Sequence, residues 1–147
     1  MNIAGIKYYD IADGEGVRTS MYVSGCRRHC PGCHNQVAWD FNYGEPFTSE
    51  LQDKILKSLE PWYIAGLSVL GGEPFELENA VELVPFLKRV RKSIWIYTGY
   101  MYEEIQKSAL AKLADVIVDG AFLLEQRDAG LAFRGSRNQR IIRRYHS

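Results

Sequence analysis

The chain has 147 residues, of which 46% are hydrophobic and 12% aromatic, so it can bury a core of its own. This composition excludes a disordered chain and a collagen-like repeat. Because 18 Lys and Arg balance 18 Asp and Glu, we expect no binding to nucleic acid or to an anionic membrane. The longest weakly polar run, residues 64–72, is much shorter than the roughly 20 apolar residues of a membrane helix. These features predict a single domain spanning residues 1–147.

Strand-like and helix-like patterns alternate along the chain. Short runs rich in β-branched and aromatic residues predict strands at 19–23, 67–70, 94–98 and 116–118. Apolar residues at helical spacing predict helices at 48–60, 77–91 and 102–113. Thr48 or Ser49 can cap the first helix and Pro61 ends it, whereas Pro85 predicts a kink or a late start of the second helix.

Alternating strands and helices predict an α/β fold with a mainly parallel sheet and right-handed crossovers. A closed eight-stranded barrel takes about 250 residues, or roughly 30 for each βα unit. The chain therefore has room for about five βα units, which predicts an open partial (β/α) barrel. Functional sites of such sheets lie at the carboxyl ends of the strands, and the Gly-rich and Cys-rich segments of this chain all follow predicted strand ends.

The cysteines lie together in a Cys-x3-Cys-x2-Cys loop formed by Cys26, Cys30 and Cys33. An odd number of crowded thiols is not typical of a disulfide framework and indicates ligands or redox groups in a reducing compartment, which predicts a cytoplasmic protein. Three thiolates can hold three corners of a 4Fe–4S cluster and leave the fourth iron without a protein ligand. A structural zinc ion, with His29 or His34 as its fourth ligand, is the alternative.

The segment Gly71-Gly72-Glu73-Pro74 follows the next predicted strand, where the fold would place it beside the cysteine loop. Two adjacent glycines allow a close approach of the backbone and leave amide and carbonyl groups free for a ligand. The Glu73 carboxylate can accept hydrogen bonds from an ammonium group. The alternative is an ordinary strand-to-helix turn with a solvated glutamate.

Together, the cysteine loop and the Gly71–Pro74 segment resemble the radical S-adenosylmethionine superfamily. Within it, three further segments resemble the activating proteins of anaerobic ribonucleoside-triphosphate reductase. These segments are DGEGVR at 13–18, WIYTGY at 95–100 and FRGSRNQR at 133–140. The resemblance covers nearly the whole chain, and it implies that residues 1–147 form a single radical S-adenosylmethionine domain.

The resemblance implies that Cys26, Cys30 and Cys33 ligate a catalytic 4Fe–4S cluster. The open iron of this cluster would bind the amino and carboxylate groups of S-adenosylmethionine. The other residues implied in cofactor binding are Gly32, His34, Gly71, Gly72, Glu73, Tyr97, Thr98 and Gly99. Members of the superfamily often have an aromatic residue at the position of Gly32, so here only the backbone at that position is expected to contact the adenine.

The chemistry of the family is a radical transfer to another protein. The reduced cluster cleaves S-adenosylmethionine to methionine and a 5′-deoxyadenosyl radical, which takes a hydrogen atom from a backbone glycine of the large reductase subunit. The implied partners are that large subunit and a low-potential, flavodoxin-like electron donor. A homodimer and an assembly with the reductase are both compatible with the sequence.

Other functions stay open at this point. The chain could be another small radical S-adenosylmethionine enzyme, similar to a deazaguanine-forming synthase or to a different glycyl-radical activase. It could also be a non-enzymatic zinc-binding module. A simple electron carrier fits less well, because carriers usually complete their cluster ligation with a fourth cysteine.

Overall fold

One sheet with a parallel centre and antiparallel edges organises the molecule. The computed structural model describes residues 1–33 and 35–144. The strands are β1 Asn2–Asp10, β2 Val17–Val23, β3 Glu45–Pro46, β4 Ile64–Gly71, β5 Ser93–Tyr97, β6 Val116–Asp119 and β7 Arg140–Arg143. They lie in the order β3-β1-β2-β4-β5-β6-β7. Neighbouring strands from β2 to β6 run parallel, whereas β1, β3 and β7 are antiparallel to the strands they pair with.

The α-helices are short and lie in the connections between the parallel strands. They are α1 Ser49–Ser58, α2 Leu77–Leu87, α3 Tyr102–Ile105 and α4 Ala109–Lys112. Thr48 caps α1 by accepting a hydrogen bond from the Leu51 amide at 3.2 Å, as its residue type predicts. Even α2, with 11 residues, is a short helix. Within the described ranges, no helix combines the length and the apolar character that a membrane crossing requires.

The predicted α/β class with a mainly parallel sheet is confirmed. The parallel part has four strands, fewer than the about five βα units expected from chain length, because both edges of the sheet are antiparallel. The sequence patterns missed β1 and the two edge strands, β3 and β7. The helix predicted at 102–113 is instead two helices, since Ser108 caps α4 by accepting a hydrogen bond from the Ala111 amide at 3.1 Å.

The two faces of the sheet are covered by different parts of the chain. Because side chains alternate between faces along a strand, Ile96 of β5 points to one face and Trp95 to the other. Ile96 belongs to the main hydrophobic core with helix residues such as Ile55. Trp95 belongs to a second cluster with Val118, and the Phe133 ring of the C-terminal segment packs edge-on against Trp95 at 5.4 Å. We call the face that carries Trp95 the inner face.

Arg18 is a buried cation on the inner face, with 1% of its surface exposed. Its guanidinium donates to Ser68 Oγ and to the Ser93 carbonyl, both at 2.8 Å, and so joins β2 to β4 and β5. It also donates to the Glu15 carbonyl at 3.0 Å, which holds the loop before β2. Burial lowers the pKa of Arg18 to about 10, so the side chain is charged at neutral pH. These bonds offset the cost of burying the charge.

We predict that Arg18→Met lowers the free energy of unfolding by about 3 kcal/mol, because it leaves several buried oxygen acceptors without a donor. Arg89→Met is the matched control, since Arg89 makes an exposed ion pair with Asp53 at 3.1 Å. Losing that pair should cost less than about 1 kcal/mol. Denaturant unfolding of the three proteins measures both values, and equal losses in the two variants would contradict the role given to Arg18.

Candidate functional site

The carboxyl ends of the parallel strands meet at one edge of the sheet, where a cavity of about 240 Å³ opens. The three predicted ligands, Cys26, Cys30 and Cys33, all line it. So do residues 71–73 and 97–99, at the carboxyl ends of β4 and β5. The structure therefore brings the predicted cysteine, glycine-rich and strand-end residues together around one cavity.

Two predicted residues of the cysteine loop do not follow this pattern. Gly32 is not among the residues that line the cavity. Its φ is +75°, a backbone conformation that favours glycine, and the turn it forms lies beside Leu124 of the C-terminal segment. His34 lies outside the described residues.

The cysteine loop is shaped by a left-handed backbone conformation at His29, whose φ is +48°. Such a conformation is unfavourable for a residue with a side chain. The His29 ring stacks on Trp39, with ring centroids 4.3 Å apart and planes 7° apart. Trp39 itself lines the cavity. The stack thus explains how His29 is held in this conformation and ties the loop to the cavity wall.

The arrangement of the thiols bears on which metal group they can hold. In residues 1–33 and 35–144, no three His, Cys, Asp or Glu side chains lie close enough together to hold a single metal ion. A zinc ion requires ligand atoms that converge on one point at about 2.0–2.3 Å. A 4Fe–4S cluster instead takes each thiolate on a different iron atom. Three thiols that line one cavity match the number of protein ligands expected for a 4Fe–4S cluster with one open iron.

Cys26 is the most buried of the three cysteines, with 8% of its surface exposed. Burial raises the pKa of its thiol, while hydrogen bonds from the backbone amides of Arg28 and His29 act in the opposite direction. The free thiol is thus held in its protonated form. A metal group that binds here must displace this proton, so its uptake should release a proton from Cys26.

The two glycines of the Gly71–Pro74 segment bring the backbone close to the cysteine loop. The Gly72 amide donates to the Val23 carbonyl and the Glu73 amide to the Gly25 carbonyl, each at 2.8 Å. A Cβ on Gly72 would lie 2.5 Å from the Gly25 oxygen. The expectation that these amides are free for a ligand is therefore wrong, because they bond to the chain that leads into Cys26.

Glu73 is a buried carboxylate, with 2% of its surface exposed, so the alternative of a solvated glutamate is also wrong. Its oxygens accept hydrogen bonds from Thr98 Oγ1 at 2.8 Å, the Gly99 amide at 2.7 Å and the Phe75 amide at 3.0 Å. Burial raises the pKa of Glu73, and these bonds oppose the shift. A carboxylate accepts about four hydrogen bonds, so one position remains for a ligand.

The C-terminal segment supplies another part of the wall through Gln139, a residue that sequence reasoning did not single out by itself. Gln139 lines the cavity. Its Oε1 accepts from the Gly135 amide at 2.8 Å and its Nε2 donates to the Gly120 carbonyl at 2.9 Å. The buried Asp119 carboxylate accepts from Arg140 Nε at 3.1 Å. The signal for Gln139 was its place in the FRGSRNQR segment.

Comparison with known proteins identifies the family. The model of a family described as a 4Fe-4S single cluster domain matches residues 12–142. The anaerobic ribonucleoside-triphosphate reductase-activating protein of Haemophilus influenzae is 40% identical over 151 residues, with 95% of this chain and 97% of the relative covered. The protein of the same name from Vibrio cholerae is 41% identical, with 93% of this chain and 96% of the relative covered. The one from Enterobacteria phage T4 is 34% identical, with 96% of this chain and 93% of the relative covered. The chain belongs to the family of anaerobic ribonucleoside-triphosphate reductase-activating proteins.

In this activating protein, three polar residues connect the cavity to the inner face. They are Asp13, Tyr22 and Tyr97. Tyr22 lines the cavity, and its hydroxyl donates to Asp13 Oδ2 at 2.7 Å. Tyr97 also lines the cavity, and its buried hydroxyl has no hydrogen-bond partner among the described residues. Burial, together with a hydrogen bond to Asp10, raises the pKa of Asp13 from an ordinary value of 3.8 to about 6. The sequence pattern alone gave no reason to select Tyr22.

We predict that Gly72→Ala destabilises the activating protein by about 2 kcal/mol, because the new methyl group meets backbone oxygens that cannot move independently. These are the Gly25 oxygen at 2.5 Å and the Ala38 oxygen at 2.7 Å. Gly5→Ala is the control, since nothing lies within 4 Å of a Cβ at Gly5. Denaturant unfolding of both variants provides the comparison. A Gly72→Ala protein as stable as Gly5→Ala would show that the close approach is not required.

We also predict a pH-dependent effect of Asp13→Asn. Because the pKa of Asp13 is raised in the folded chain, to about 6 from 3.8, wild-type stability should fall as pH rises through this range. Asparagine does not titrate, so the variant should gain stability relative to wild type between these pH values. The gain should be on the order of 1 kcal/mol, since Asp13 is only partly buried.

Denaturant unfolding of wild type and Asp13→Asn at a series of pH values measures this gain. Tyr22→Phe serves as a second variant. The Tyr22 hydroxyl bond lowers the pKa of Asp13, so its removal should extend the decline of stability to higher pH. A stability difference between wild type and Asp13→Asn that does not change with pH would refute the raised pKa.

Proposed function

We propose that this chain activates anaerobic ribonucleoside-triphosphate reductase by forming a glycyl radical on its large subunit. The observation that carries the proposal is the cavity that Cys26, Cys30 and Cys33 share with residues 71–73 and 97–99. Relatives that are 34% to 41% identical over more than nine-tenths of their length bear the name of activating proteins of this reductase.

The proposed ligands of a 4Fe–4S cluster are Cys26, Cys30 and Cys33, and one iron is left for S-adenosylmethionine. When bound and reduced, the cluster supplies the electron that cleaves S-adenosylmethionine into methionine and a 5′-deoxyadenosyl radical. The proposed cofactor contacts are Gly32, His34, Gly71, Gly72, Glu73, Tyr97, Thr98 and Gly99. The match of residues 12–142 to the model of a 4Fe-4S single cluster domain supports the cluster over zinc.

Glu73 has two proposed roles: it joins the ends of β4 and β5, and it binds the cofactor. Its bonds to Thr98 and Gly99 join the end of β4 to the end of β5, so the carboxylate is held in a fixed orientation. Its remaining acceptor position can bind the ammonium group of S-adenosylmethionine. A carboxylate that is already oriented by its own protein requires little reorganisation when the cofactor binds.

The chain must also keep water away from the reacting groups. Trp39, Leu70 and Phe122 contribute apolar surface to the lining of the cavity. The hydroxyls of Tyr22 and Tyr97 lie on the side that leads to the inner face. Tyr97 has no partner among the described residues, so its hydroxyl is available to a polar group of the cofactor or of the entering polypeptide.

The proposal also includes the domain organisation, the electron donor and the cellular compartment. Residues 1–147 form one domain, whose sheet curves into an open partial barrel that the reductase covers. The electron comes from a low-potential donor of the flavodoxin type. The three free cysteines, which lie close together in the sequence, are consistent with a cytoplasmic location.

The first test is an anaerobic electron paramagnetic resonance spectrum of the iron-reconstituted, reduced protein, recorded with and without S-adenosylmethionine. We expect the signal of a reduced 4Fe–4S cluster that changes when S-adenosylmethionine is added. Adding the large reductase subunit should then give a glycyl radical signal. A protein that binds a single zinc ion and forms no cluster would exclude the proposed activity.

We further predict that Cys26→Ala, Cys30→Ala and Cys33→Ala each reduce cleavage of S-adenosylmethionine to the background rate, because each variant lacks one proposed cluster ligand. Release of methionine and 5′-deoxyadenosine measures the activity. Asp53→Ala, at an exposed position of α1, is the control and should cleave at the wild-type rate. Full cleavage by any one cysteine variant would refute its role as a ligand.

A further inference from the structure

Residues 23–27, which lead into the cysteine loop, are bonded along their length to residues 72–79. Two amides of residues 72 and 73 bond to carbonyls of residues 23 and 25, at 2.8 Å each. Farther along the segment, Asn79 Nδ2 donates to the Ser24 carbonyl at 3.0 Å. These bonds hold the chain before Cys26. Glu76 extends the series to the chain after Cys26.

Glu76 is a nearly buried carboxylate, with 8% of its side chain exposed. Its Oε2 accepts a hydrogen bond from the Arg27 backbone amide at 2.7 Å, and its Oε1 accepts one from the Arg27 guanidinium at 2.8 Å. The same guanidinium bonds to Glu78 at 3.2 Å and lies 4.5 Å from the centre of the Phe41 ring. One buried side chain thus binds both the backbone and the side chain of the residue that follows Cys26.

The orientation of Arg27 matters for the Cys26 sulfur. The backbone amides of the next two residues, Arg28 and His29, donate hydrogen bonds to that sulfur. Because each peptide group is planar, a rotation at Arg27 would turn the following amides away from the sulfur. Hydrogen bonds to ligand sulfurs influence both the retention and the reduction potential of an iron–sulfur cluster.

We propose that Glu76 is a positioning residue for the cysteine loop, acting through the Arg27 backbone on Cys26. The proposal rests on the proposed function, because its importance for catalysis depends on a cluster at Cys26. Its structural part, the placement of Cys26 by Glu76, can be tested in the metal-free protein. Within residues 1–33 and 35–144, the hydrogen bonds to the Glu76 carboxylate come from Arg27, so the side chain of Glu76 acts on the site through that residue.

Three variants separate the contacts of Glu76. Glu76→Ala removes both bonds to Arg27, whereas Glu76→Gln keeps an oxygen that can accept the Arg27 amide. Glu78→Ala is the matched control. It removes a carboxylate from the same guanidinium but leaves the Arg27 amide bond in place, and its side chain is 48% exposed.

In the metal-free protein, the readout is the alkylation rate of each cysteine by N-ethylmaleimide, located by mass spectrometry. Cys26 is buried and therefore reacts only when the loop opens. We expect faster alkylation of Cys26 in Glu76→Ala than in wild type, Glu76→Gln and Glu78→Ala. The thermal unfolding midpoint of each variant shows whether the loop opens locally or the whole domain is destabilised.

In the reconstituted protein, the readouts are iron release to a chelator and the midpoint potential of the cluster, followed by electron paramagnetic resonance. We expect Glu76→Ala to release iron about 10- to 100-fold faster than wild type, the usual range for loss of a residue that supports a metal ligand. Its potential should be more negative, because hydrogen bonds to the Cys26 sulfur are weakened. Glu78→Ala should match wild type in both measurements.

The outcomes distinguish this inference from the proposed function. A wild-type protein without a cluster would refute the proposed function, while selective alkylation of Cys26 in Glu76→Ala would still support the placement of the loop. Equal Cys26 alkylation in Glu76→Ala and Glu78→Ala would overturn the role of Glu76. The role of Glu76 would also be overturned if the alkylation rates of Cys30 and Cys33 in Glu76→Ala rose as much as that of Cys26 and the unfolding midpoint fell. That result would indicate general destabilisation of the domain.

Discussion

The close approach of two backbone segments, at Gly72 and Gly25, is the constraint on which the rest of the site depends. The Gly25 oxygen lies 2.5 Å from where a Cβ of Gly72 would be, and a Cβ on Gly25 would itself lie 2.3 Å from the Phe41 ring. Neither position has room for a side chain. This contact brings the end of β4 against the start of the cysteine loop, so it determines where Cys26 lies relative to Glu73.

A second level of order comes from charged groups that are buried and hydrogen-bonded to other elements of the fold. Arg18 joins three strands on the inner face, Glu73 joins β4 to β5, and Asp119 holds Arg140 of β7. Removing each of these charged groups from water costs free energy. The several hydrogen bonds that each group makes in fixed directions offset this cost. Glu76 follows the same rule at the cysteine loop. The site is thus built by polar groups whose orientation is set before any cofactor binds.

Local patterns in the sequence predicted the parallel strands, and the family resemblance predicted several of the residues that line the cavity. Cys26, Cys30 and Cys33 lie close together in the sequence, and Gly71–Pro74 follows a strongly apolar strand. The edge strand β7 was missed, because its four residues have no clear alternation and pair only in the folded sheet. The bonds of Glu73 and Glu76 were missed for a similar reason, since their partners lie on other elements and residue type alone does not select them.

The arrangement also explains how four parallel strands are enough for a site of this kind. The predicted ligands and cofactor contacts come from the ends of β2, β4 and β5, while the end of β6 carries Asp119, which anchors the C-terminal segment. Through Gln139 that segment forms a wall of the cavity. Under the proposed function, the remaining enclosure is supplied by the reductase, so that the cavity is completed only when the polypeptide to be activated is in place.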